Sequence, residues 1–245
     1  MITGDAIDFP LKSGHNEEIV AVYWGRKYRD VSDRRFAVAV TTFILIRHGE
    51  TLWTRERRYQ GITDIPLAED AKKDVLRAAG LIKELSADYL YTSPLLRARQ
   101  TADIISQTIG KKPVCVDDLR EVSFGVWEGK TANELIAQKD PTYLKWMQTR
   151  RWTTPSKGES LRALEKRVMR FWEGCLVKHR NQKIAVAAHG GSLKMLLLSA
   201  LKMRRDDLFR IKMDPCSISI VRDHDGWTDL VCLNVRTSNG RMSII

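Results

Sequence analysis

From position 42 onward, short apolar runs alternate with longer stretches in which apolar residues recur every three or four positions. The short runs at 43–46, 89–92, 114–116, 184–188, 217–221 and 230–235 are rich in β-branched and aromatic residues, which predicts strands. Stretches 70–85, 94–109, 133–138, 160–178 and 192–200 read as helices. In the first of these, Val75, Leu76, Ala79, Ile82 and Leu85 fall at helical spacing. Strands that alternate with helices predict a three-layer α/β/α sandwich around a mainly parallel sheet of about six strands. The last two strands are separated only by a turn at 223–226, so they are expected to form an antiparallel hairpin at one end.

The first forty residues break this rhythm. Two apolar runs, 19–24 and 36–40, flank a charged stretch at 25–35, which reads as an added hairpin or arm. The expected organisation is an extension over 1–42, a main domain over 43–236 and a short tail over 237–245. No apolar run reaches the ~20 residues that span a bilayer, and the N-terminus lacks the pattern of a signal peptide, so a cytoplasmic protein without membrane contact is expected. The formal net charge of +11 over 245 residues points to anionic partners. The basic pairs Arg57/Arg58, Lys72/Lys73 and Arg204/Arg205 are scattered without aromatic interleaving, so they read as solvated faces and no nucleic acid is expected. The four cysteines show no close pairing and read as reduced and buried, and no metal site is expected.

Candidate chemistry sits just after the predicted strands, where open α/β sheets collect their ligands. Run 43–46 leads into Arg47, His48 and Gly49; run 184–188 leads into His189, Gly190 and Gly191. If those strands are neighbours, two imidazoles share one rim, beside glycines that let backbone amides approach an anion. After 89–92 comes Ser93, then Pro94 opening a helix that places Arg97 near its N-terminus, a favourable anion site. Arg97 and Arg99 lie roughly 200° apart around that helix, so only one can face the rim. His15, His179 and His224 read as structural or exposed.

The ordered motifs RHGET (47–51), SPLLRARQTA (93–102), LREVSFGVWEG (119–129), GES (158–160) and AHGG (188–191) resemble the histidine phosphatase superfamily, branch 1, over roughly 43–236. This resemblance implies a phosphoglycerate mutase-like fold and a metal-independent phosphomonoester phosphatase with no cofactor. It implies His48 as nucleophile, Arg47, Arg97 and His189 around the phosphoryl oxygens, and Glu121 as proton donor to the leaving oxygen. Gln60, Gly61, Phe124 and Gly190 are implied to touch substrate. Thr54 stands where many members carry Asn, which puts one phosphate contact in question. By sequence alone Asp117, Asp118, Glu121 and Glu128 are all candidate acids; the resemblance selects Glu121 and leaves Glu128 a capping or hydrogen-bonding role.

Such chemistry needs these residue types. Phosphoryl transfer asks chiefly for alignment and for positive charge around the equatorial oxygens, which guanidinium forks supply. Arg47 and Arg97 are expected to depress the His48 pKa and keep it nucleophilic, while a bound dianion would favour a proton on His189. The substrate is expected to be a small phosphorylated metabolite, and a homodimer is compatible with the reading. The short interval from Glu121 to GES favours a phosphatase over a phosphoglycerate mutase-type phosphotransferase, the first alternative. Arg150 and Arg151 in that interval are candidates for a second substrate charge. A non-catalytic phosphate-binding or regulatory protein is the further alternative.

Overall fold

The computed structural model describes residues 39–149, 151–238 and 241–244; the expected arm within 1–42 lies outside the described residues up to position 38. The elements are β1 (Val40–Arg47), α1 (Leu52–Arg55), α2 (Lys72–Glu84), β2 (Tyr89–Thr92), α3 (Leu96–Ile109), β3 (Pro113–Cys115), α4 (Ala132–Ala137) and α5 (Pro141–Thr149). They continue with α6 (Leu161–Lys178), β4 (Lys183–Ala188), α7 (Gly190–Ala200), β5 (Ile218–His224), β6 (Trp227–Ser238) and β7 (Arg241–Ile244). Strand order is β3-β2-β4-β1-β5-β6-β7. The first four strands are parallel; β5, β6 and β7 add on antiparallel, with β5 and β6 forming the hairpin. Strand β7, which pairs with β6, lies in the stretch read as a tail, and among the described residues the sheet has seven strands where about six are expected.

The unbroken apolar run of β1 has a simple cause: both faces of the strand are covered. Phe43 and Leu45 pack with α6 and α7, while Ile44 and Ile46 pack with α2 and α3, as the two-residue period of a strand requires. β4 divides in the same way, with Ile184 and Val186 on one side and Ala185 and Ala187 on the other. A third, aromatic cluster of Trp127, Leu135 and Tyr143 joins α4 and α5 to the loop at 124–128. Helix α5 is not among the helices expected from the sequence, although Tyr143, Trp146 and Met147 fall at helical spacing; Tyr143 and Trp146 anchor it on this cluster. The cysteines need a correction. Cys175 and Cys216 are buried, but Cys232 is only partly covered and Cys115 is exposed, because β3 is the outermost strand of its edge. Among the described residues no helix is long and apolar enough to cross a membrane.

Candidate active site

Parallel register lines up the residues that leave three adjacent strands. Arg47 pairs with Ala188 and Thr92 with Ala187, so Ser93, His189 and His48 follow one another along a single rim. The His48 and His189 rings lie 5.1 Å apart at 59°. Nδ1 of His48 is 2.7 Å from the Gly49 carbonyl, which can only accept, so Nδ1 carries the proton and Nε2 keeps a free lone pair. His189 is held in the opposite tautomer. The Arg97 Nε–H donates to its Nδ1 at 3.1 Å, leaving Nε2–H to donate to the Ser93 hydroxyl at 2.7 Å.

Both imidazoles are neutral here. Burial pushes each well below its ordinary pKa, and the Arg97 and Arg47 guanidiniums add to the effect. The sequence-based expectation for His48 names only the two arginines; burial is the larger cause. The same depression sets a pH dependence of stability. Between the folded pKa and the unfolded ~6.5, the unfolded chain binds protons that the folded chain refuses, so stability is lost as pH falls below about 6.5. Each such histidine contributes a slope of up to about 1.4 kcal/mol per pH unit. Denaturant midpoints measured from pH 7.5 to pH 5 should fall, and His48→Gln should flatten the curve. An equally steep curve in the variant would contradict the assignment.

Arg47 and Arg97 are the unusual groups. Arg97 is fully buried, and its guanidinium donates to the Gly61 carbonyl (2.7 Å), the Thr63 carbonyl (3.0 Å) and His189. Arg47 donates to the Met213 carbonyl at 2.7 Å, while its Nε is sealed from solvent without an acceptor. Among the described residues neither forms an ion pair with a carboxylate. Burial depresses both, Arg97 to about 10. A desolvated guanidinium without a paired anion is costly; that holds for the fully buried Arg97 and in part for the half-buried Arg47, and the field of Glu121 offsets some of it for both. Arg99 is exposed, as the helical geometry required.

Glu121 lies across from the imidazoles with both oxygens engaged. Oε1 accepts from the amides of Val122 (2.8 Å) and Ser192 (3.1 Å), and Oε2 from Gly191 (2.9 Å), which seats the carboxylate on the N-terminus of α7. A Cβ at Gly191 would stand 2.3 Å from Oε1, so glycine is required for that seat. Glu128 has the hydrogen-bonding role, accepting from the amides of Ile62, Thr63 and Phe124 and from the Thr63 hydroxyl. The GES motif works from behind the site. Glu159 grips Arg167 with two bonds of 2.8 Å, and Arg167 gathers the carbonyls of Asp118, Arg120 and Glu121.

A cavity of about 350 Å³ opens over this cluster. Arg47, His48, Thr54, Gln60, Glu121, Phe124 and Gly190 line it, with Arg97 and His189 buried beneath. Gly61 lies behind Arg97, its carbonyl holding the guanidinium and its Cα against Glu128. Thr54 has its hydroxyl committed to the Thr51 carbonyl at 2.8 Å in a capping box. Arg57 and Arg58, read as a solvated face, in fact border the cavity; the loop at 56–61 folds over the rim. Arg151 is exposed and does not line it, and Arg150 lies outside the described residues. Sequence reasoning missed Lys194, Trp152 and Phe209. Lys194 could have been found, being one helical turn after Gly190, whereas Trp152 and Phe209 reach the wall from distant loops with no local signal.

The mixed sheet carries, at the carboxyl rim of its parallel strands, a tautomer-fixed imidazole beside two guanidiniums, in an α/β fold. The sequence matches the model of the histidine phosphatase superfamily (branch 1) over residues 43–236, and the chain belongs to that family. It is 34% identical over 197 residues to the protein named Bifunctional protein Rv2228c of Mycobacterium tuberculosis, covering 79% of this chain and 54% of that one. The chain therefore spans about half the length of that relative. A probable phosphoglycerate mutase GpmB of Erwinia tasmaniensis is 30% identical over 180 residues, covering 74% of this chain and 83% of its own length. The crystal structure of a phosphoserine phosphatase mutant of Entamoeba histolytica in complex with phosphoserine superposes with a TM-score of 0.71 at 29% identity, covering 79% and 96% of the two chains.

Proposed function

We propose that the chain is a phosphomonoester phosphatase that works through a phosphohistidine on His48, without a metal ion, on a small phosphorylated metabolite. The observation that carries this is a pair of guanidiniums, Arg97 fully buried and Arg47 half-buried, that form no ion pair with a carboxylate among the described residues and stand beside an imidazole whose Nε2 lone pair is free. A phosphate dianion between Arg47 and Arg97 would offset their desolvation and present phosphorus to Nε2. The N–P bond forms as the ester P–O bond breaks, and the departing oxygen takes a proton from Glu121. Water then attacks phosphorus, Glu121 recovers the proton, and inorganic phosphate leaves. In its present seat Glu121 accepts on both oxygens, so donating requires Oε2 to exchange its single bond, from Gly191, for the ester oxygen. A cavity of about 350 Å³ suits a small molecule, and the similarity to proteins named for phosphoserine and phosphoglycerate chemistry supports the same class.

Hydrolysis of alkyl and aryl phosphomonoesters in the presence of EDTA tests this. Wild-type protein should release phosphate from both. Glu121→Gln should lose on the order of 10²–10³ on an alkyl ester and far less on p-nitrophenyl phosphate, whose leaving group needs no protonation. Equal losses on the two would assign the proton to another group.

A further inference from the structure

Lys194 has no part in the phosphoryl chemistry above, yet its position is built. It follows Gly190 by four residues in α7, so both lie on one face of the helix, and helical side chains lean toward the N-terminus, bringing the ammonium back over the first turn. It lines the same cavity as Arg47, His48 and Glu121. Among the described residues it has no carboxylate partner and no hydrogen-bond acceptor; its Nζ stands 5.6 Å from the centroid of the Phe209 ring. Phe209 in turn stacks on Trp152 at 5.5 Å and 21°. Beside this half-buried ammonium the cavity has an apolar wall that includes Phe124, Leu161, Leu208 and Phe209.

We propose that Lys194, with the Trp152–Phe209 wall, forms a leaving-group subsite that selects phosphomonoesters whose alcohol half carries a carboxylate on an apolar or aromatic body. The proposal rests on the phosphatase reading and adds the substrate class. Lys194 and the Arg47, His48 and Glu121 side chains face one cavity, so an ester with its phosphoryl group at His48 would extend its alcohol half toward the ammonium. Beside the Glu121 carboxylate a singly charged carboxylate meets less repulsion than a second phosphate dianion would; Arg57 and Arg58 border the same cavity, and Arg58 is already paired with Glu56 and Glu134. Burial and the Arg47 guanidinium push the Lys194 ammonium below its ordinary value and Glu121 opposes this; an arriving carboxylate would act in the same direction as Glu121.

The experiment compares kcat/KM for meta- and para-carboxyphenyl phosphate with the corresponding carboxamides, which keep shape and remove charge. Wild-type protein should prefer a carboxylate by about 10-fold or more, the return on one charge-assisted hydrogen bond. Lys194→Met should bring that ratio close to one, and Lys194→Arg should keep the preference. A wild-type ratio near one, or an unchanged ratio in Lys194→Met, would overturn the subsite while leaving the phosphatase reading intact. No turnover of either ester would instead overturn the phosphatase reading and the subsite with it.

Discussion

His48→Ala should abolish turnover of p-nitrophenyl phosphate, with a loss of about 10⁴ or more in kcat. The substrate choice isolates the nucleophile, because p-nitrophenolate leaves without an acid and the arginines remain in place. The loss follows from geometry. Gly49 holds the Nδ1 proton so that Nε2 is the atom with a lone pair, and removing the ring removes the only nucleophile so prepared in the cavity among the described residues. Rapid quench of the wild-type protein should trap an acid-labile, alkali-stable phosphoenzyme, and the variant should trap none. Full activity in the variant, or an alkali-labile adduct, would refute the phosphohistidine step.

Arg47→Met should separate function from stability. Arg47 gives the fold one hydrogen bond, to the Met213 carbonyl, and costs it a half-buried charge that has no ion pair among the described residues and a buried Nε without an acceptor, offset in part by the fields of Glu121 and Asp214. Replacing such a charge by an apolar side chain of similar length is often neutral or stabilising. Catalysis loses a charge at the equatorial oxygens, so kcat/KM should fall by about 10²–10³ while the urea midpoint holds or rises. Phosphate or vanadate should raise the wild-type midpoint by binding the folded state alone, and much less in the variant. A destabilised variant that retains its activity would show that Arg47 serves the fold and not the anion. Arg97 is the less informative target, since its loss strands the Gly61 and Thr63 carbonyls together with Nδ1 of His189.

The sequence by itself determined the layered α/β architecture, because continuous apolar runs and helical spacing are local records of which faces are covered. It also located His48, His189 and Arg97, since residues at strand ends and a helix start are readable from the same pattern, and the RHGET and AHGG motifs tied them to a family. The exposure of Cys115 and the pairing of β7 were not legible, because each depends on what lies alongside an element and not on the element's own period, whereas the spacing of Tyr143, Trp146 and Met147 did mark α5. Only the tertiary structure decided protonation and partnership. The opposite tautomers of the two imidazoles come from Gly49 on one side and Arg97 with Ser93 on the other. The seat of Glu121 comes from a helix N-terminus seventy residues away, and the cavity wall from Trp152 and Phe209 on separate loops. Hydrogen-bond direction, desolvation and the convergence of distant segments are properties of atoms in space, and a linear pattern of polar and apolar positions does not encode them.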